Sequence, residues 1–119
     1  MKKMYYLQTC DTCRRIMKEM DFSDFEKQEI KTESITVEQL EEMKKLAGSY
    51  QALFSRKAKK YKEMGLKDEI LSEKDYQNYI LNDYTFLKRP VILDGNQIFI
   101  GNEKKNLQAL SDHLTGNPS

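Results

Sequence analysis

Two cysteines, Cys10 and Cys13, stand where an apolar strand pattern gives way to a helical one, and this placement limits the fold more than any other feature of the chain. Lys3 to Gln8 (KMYYLQ) is short and rich in aromatic and apolar side chains, which predicts a buried strand. After Thr9-Cys10-Asp11-Thr12, the residues Cys13, Ile16, Met17 and Met20 recur at spacings that fall on one face of a helix. The helix therefore begins at the cysteines. Asp21 to Asp24 breaks it, and Phe25 to Lys31 reads as a second strand. A strand, helix and strand of this length form a right-handed crossover between parallel strands.

The middle of the chain is helical in pattern. Thr36 with Gln39 predicts a capping box, followed by Val37, Leu40, Met43 and Leu46 on one face and Gly48 as the stop. Tyr50 to Met64 predicts one helix, with Phe54, Ala58 and Tyr61 inward and Gly65 at its end. Ser72 caps a third helix through Asn82, facing Tyr76, Tyr79 and Ile80 inward. Val91-Ile92-Leu93, Asp94-Gly95-Asn96 and Gln97 to Ile100 then read as a hairpin, because Asp-Gly tolerates the positive backbone angles of a tight turn. Asn102 is the expected cap of a last helix with Leu107, Leu110 and Leu114 as its stripe, and the polar tail Thr115 to Ser119 is expected to fray. The predicted architecture is α/β in the order βαβ…ββα, with a helical insertion at residues 33–86 of a single domain spanning 1–119.

Charge excludes some functions. Lys plus Arg number 20 against 19 Asp plus Glu, so nothing global draws the chain to nucleic acid or to an anionic membrane. Lys57, Lys59, Lys60 and Lys62 form a solvated helix face, offset by Glu63, Asp68 and Glu69. No long apolar run or secretory leader pattern is present, and 2 Cys are too few for a disulfide-stapled scaffold, which makes a monomeric cytoplasmic protein the expectation. Tyr5, Tyr6, Tyr76, Tyr79 and Tyr84 read as packing residues. No metal site is expected, because His113 is the one further soft ligand and a structural zinc takes four; His113 itself reads as a solvent-facing cation at a helix end.

A Cys-x-x-Cys pair between strand and helix points to redox or nucleophilic thiol chemistry. Cys10 precedes the first helical turn and is the exposed nucleophile; Cys13 lies on the buried face and is its partner. Free amides and the positive end of the helix dipole favour a Cys10 thiolate, with Arg14 or Arg15 as a further source of positive potential. Pro90 stands before a strand: in a thioredoxin-like fold it would be cis and beside the cysteines, and otherwise it merely starts the strand.

Cys10-Asp11-Thr12-Cys13-Arg14, Phe54-Ser55-Arg56 and Leu87-Lys88-Arg89-Pro90-Val91-Ile92 together resemble the glutaredoxin-coupled arsenate reductase family, which also includes the Spx-type transcription regulators. The likeness runs from about Lys3 to Leu114 and implies a thioredoxin-like mixed four-stranded sheet with an inserted helical subdomain, in agreement with the order read above. It implies that Cys10 attacks arsenate to form a thiol-arsenate adduct, that Arg56 and Arg89 hold the oxyanion, and that Thr12, Arg14 and Pro90 support the site. It also implies no bound cofactor, glutathione as reductant, and glutaredoxin or thioredoxin as the partner that completes turnover. This sequence departs from the reductases in lacking any Arg after Arg89, where only Lys104 and Lys105 offer positive charge. Its second cysteine is typical of the Spx-type regulators, for which the resemblance implies a Cys10–Cys13 disulfide switch and binding to the RNA polymerase α subunit.

Overall fold

A computed structural model describes residues 1–116 of the chain. Strand β1 (Lys2–Tyr6) ends before the expected Gln8 because the Cys10 N–H donates to the Leu7 carbonyl at 3.1 Å and turns the chain. Helix α1 (Asp11–Glu19) follows, burying Cys13 and Ile16. Strand β2 (Glu26–Glu29) is shorter than the Phe25 to Lys31 expected, since the Phe25 N–H is engaged at 2.9 Å by the Phe22 carbonyl. It runs parallel to β1, with Tyr6 beside Glu29.

Strands β3 (Val91–Asp94) and β4 (Gln97–Ile100) complete a four-stranded sheet of order β2-β1-β3-β4, in which β3 is antiparallel to both neighbours. The hairpin turns on Gly95-Asn96, one residue later than Asp94-Gly95, because Asp94 still pairs with Gln97. Gly95 takes φ +60°, the first-position geometry that favours glycine in a two-residue loop. Helix α5 is Lys104–Thr115, capped by Glu103 and not by Asn102. Backbone geometry decides that register: the Leu107 N–H donates to the Glu103 carbonyl at 3.0 Å, and no side-chain cap bond is made. Thr115 ends this helix, and residues 117–119 of the expected fraying tail lie outside the described residues.

One face of the sheet carries a core of Met4, Ile92 and Phe99 packed with Ile16 of α1, Leu110 of α5, Phe22 and Phe25. Each fully buried side chain of this kind contributes about 1.5–3 kcal/mol. The core thereby fixes α1 against the sheet and sets the direction in which its N-terminus opens.

The chain forms two compact units: Met1–Glu33 together with the segment from Arg89 onward, and Ser34–Lys88. Helix α2 (Val37–Ala47) of the second unit has the expected Thr36/Gln39 capping box and a left-handed Gly48 at its end. Helix α4 (Glu73–Asn82) has a capping box made by Ser72 and Asp75. The single helix expected over Tyr50 to Met64 is instead a 3-10 turn at Gln51–Leu53, an extended Phe54, and the short helix α3 (Lys59–Glu63). Phe54 bridges Leu87 in antiparallel fashion, and the Ser55 N–H donates to the Phe86 carbonyl at 2.7 Å, so a long-range pairing overrides the local period. Phe54 is fully buried among Tyr61, Tyr76, Tyr79 and Phe86, whereas Met64 at the end of the expected helix is 50% exposed.

Candidate active site

Antiparallel pairing sets the end of β1 beside the start of β3, with Tyr5 opposite Val91. The chain leaving β1 turns at Cys10, and the chain entering β3 carries Arg89 and Pro90, so both segments emerge at one end of the sheet. Cys10 is the N-cap of α1, extended at φ −86° and ψ 117°, and its carbonyl accepts the Arg14 N–H at 3.1 Å. The amides of Asp11, Thr12 and Cys13 precede the first intrahelical donor and are left to face the cap. Cys10 is half-buried, Cys13 is fully buried, and both are free thiols.

These surroundings drive the two sulfurs apart in acidity. Burial alone pushes the Cys10 thiol up, but the Cys13 amide and thiol, the Thr12 amide and the Arg89 charge outweigh it and hold Cys10 below the ordinary thiol range. The Cys13 thiol is pushed up to about 12, first by burial and then by the neighbouring Cys10, with the Leu7 backbone and Arg89 offsetting only part. Cys10 can thus carry charge as a nucleophile while Cys13 stays protonated and donates toward it.

The guanidinium acting on both sulfurs belongs to Arg89. Arg14, which proximity in sequence nominated, is exposed and paired with Asp11 across the first turn of α1. The Arg89–Pro90 bond is cis, the first of the two readings left open by the sequence, and the carbonyl of the buried Pro90 accepts the Gly101 N–H at 2.8 Å. Thr12 contributes through its backbone amide.

Arg56 lies in the second unit, exposed and outside any helix, because the single helix expected over Tyr50 to Met64 does not form there. It donates to the Tyr76 hydroxyl at 3.1 Å and stands 5.9 Å from that ring's centroid. Lys60 is not simply solvated, since it pairs with Asp83 at 2.6 Å. His113 is likewise partnered: its Nε2 lies 2.9 Å from an Asp94 carboxylate oxygen, and its ring packs on Phe99. Lys104 and Lys105 occupy the exposed first turn of α5.

Sequence patterns missed Glu29, at the end of β2. One oxygen of its carboxylate accepts the Gln8 N–H at 2.9 Å, and the other accepts from the Lys31 and Thr32 backbones and the Thr32 hydroxyl. Burial raises this carboxyl, but those donors prevail and hold it below its ordinary value. No local spacing announces such a residue; only the strand register does. Among the described residues, no cluster of His, Cys, Asp and Glu could hold a metal ion, and no helix is long and apolar enough to cross a membrane.

The model of the ArsC family matches residues 5–110, a span that includes the cysteine turn, Arg56 and the Arg89–Pro90 segment. The chain belongs to the ArsC family. Among solved structures, an ArsC family related protein from Bacteroides fragilis is 19% identical with a TM-score of 0.76, the match covering 92% of this chain and 97% of that one. An arsenate reductase from Vibrio cholerae is 22% identical with a TM-score of 0.70, covering 92% of this chain and 94% of that one. A protein described as a possible arsenate reductase from Streptococcus mutans is 23% identical with a TM-score of 0.72, covering 92% and 97%. At such identities the likeness establishes the fold, a thioredoxin-like α/β sheet. No curated protein matches the chain.

Proposed function

We propose that this ArsC-family chain is a thiol-dependent arsenate reductase of the cytoplasm, working as a monomer with Cys10 as its nucleophile. The observation that carries this reading is the Cys10 thiol at the start of α1, held below the ordinary range by two amides, the Cys13 thiol and Arg89. Attack on a tetrahedral oxyanion needs both a thiolate and neutralisation of the anion, and amides at a helix start with a forked guanidinium supply them. The names of the related reductases supply the substrate class.

In the proposed reaction the Cys10 thiolate attacks arsenic, an As–S bond forms, and one arsenate oxygen leaves as water after protonation. Arg89 holds the remaining oxygens. Glutathione then attacks the Cys10 sulfur; an S–S bond forms, and the pair from the broken As–S bond stays on arsenic, taking it from pentavalent to trivalent. Glutaredoxin or thioredoxin reduces the resulting mixed disulfide. No bound cofactor takes part. A second reading is favoured by the Cys13 thiol, which bears directly on the Cys10 sulfur: oxidation to a Cys10–Cys13 disulfide would make the chain a Spx-like redox switch with the RNA polymerase α subunit as partner.

Arsenate-dependent turnover with glutathione and glutaredoxin separates the two. Wild type is expected to turn over, Cys10→Ser to be inactive, and Arg89→Ala to show a higher KM for arsenate. An inactive wild type that retains the polymerase α subunit in a binding assay would replace the enzyme by the switch.

A further inference from the structure

Parallel strands β1 and β2 share a regular ladder, in which the Ile30 N–H donates to the Tyr6 carbonyl at 3.0 Å. One repeat further, this pattern would join the Gln8 N–H to the Ile30 carbonyl and the Thr32 N–H to the Gln8 carbonyl. Neither donor is free to do so. The Glu29 side chain takes both: Oε2 accepts the Gln8 N–H at 2.9 Å and Oε1 accepts the Thr32 N–H at 2.9 Å. At the point where Glu29 stops the ladder, the Leu7 carbonyl receives the Cys10 N–H at 3.1 Å, and the chain turns into α1.

We propose that Glu29 is a positioning residue for Cys10, ending the β1–β2 ladder by capturing its next two backbone donors and so fixing the turn that places Cys10 at the start of α1. The inference rests on Cys10 being the nucleophile. Without the carboxylate, Gln8 and Thr32 are released to extend the strand pairing or to exchange with water, and either event loosens the Leu7–Cys10 turn. The Cys10 sulfur then loses its alignment with the Thr12 and Cys13 amides and with Arg89. Glu29 also carries a negative charge, and removing that charge by itself would make the thiol more acidic. Positioning and simple charge therefore predict opposite directions.

The test is the pH profile of Cys10 alkylation by iodoacetamide in full-length wild type, Glu29→Ala and Glu29→Gln, followed by mass spectrometry. No arsenate is required, so a failed reductase reading would not affect the measurement. Glu29→Ala is expected to alkylate about threefold more slowly near pH 6.5, with the rates converging at alkaline pH where Cys10 is ionised in both proteins. Glu29→Gln keeps one acceptor oxygen and should fall between. Equal or faster alkylation in Glu29→Ala would overturn the proposal. Amide hydrogen exchange in Glu29→Gln gives a second measurement should the alanine variant fail to fold. Because glutamine still accepts one of the two donors, exchange of at least one of the Gln8 and Thr32 amides should accelerate about tenfold while that of Ile30 does not, and unchanged exchange at both would equally overturn the proposal.

Discussion

Arg89 acts on two sulfurs whose solvation differs, and so does two kinds of work. At the half-buried Cys10 its charge adds to the donors that favour a thiolate, whereas at Cys13 it only reduces the effect of burial. Arg89→Ala should therefore slow Cys10 alkylation near pH 6.5 by about threefold, a modest change because solvent screens a half-buried site. Arg89→Lys keeps the charge and should leave alkylation near wild type, yet raise the arsenate KM because the forked donor is gone. Equal alkylation in the alanine variant and wild type would remove Arg89 from the thiol's surroundings. The placement of Cys10 and Cys13 was legible in sequence because helical spacing alone separates a cap from a buried face. The guanidinium was not: Arg14 is adjacent in sequence but bound to Asp11, while Arg89 arrives through the pairing of β1 with β3.

Helices α2 and α4 show which elements local chemistry specifies. The Thr36/Gln39 capping box and the Ser72 cap could be placed from sequence, since each is satisfied within a single turn, whereas the reciprocal bond from Asp75 emerges only in the structure. The segment around Phe54 could not, because its extended backbone depends on Leu87 and its side chain on Tyr76, Tyr79 and Phe86. The two kinds of specification differ in energy. Ser72→Ala removes one cap and should cost about 1 kcal/mol. Phe54→Ala leaves a cavity among four aromatic rings and should cost about 3–5 kcal/mol. Urea unfolding followed by tyrosine fluorescence measures both. Comparable losses would mean that the second unit depends on its caps as much as on its aromatic centre. The same division between local and distant causes explains His113, whose partner Asp94 lies at the far end of β3 and gives no sign in the helix that carries the histidine.

For the molecule as a whole, the paired thiols tie stability to pH in two opposing steps. The acidity of Cys10 is greater in the folded chain, so between its lowered value and the ordinary thiol value of 9.0 the unfolded chain binds more protons and stability rises with pH. Cys13 is less acidic when folded, so between 9.0 and about 12 the folded chain binds more protons and stability falls. Together they produce a maximum near pH 9. Lysines and tyrosines also titrate above this point, which makes the difference between variants the informative quantity. Thermal unfolding from pH 6 to 11 under reducing conditions should show the rising limb lost in Cys10→Ser and the alkaline fall reduced in Cys13→Ala. Below pH 9 Cys13→Ala should in addition be less stable than wild type, because it empties part of a fully buried site, and the deficit should narrow as the pH rises above 9. If Cys13→Ala matched wild type in alkaline slope, the buried thiol would not be the group held protonated by the fold, and the division of labour between the two sulfurs would have to be redrawn.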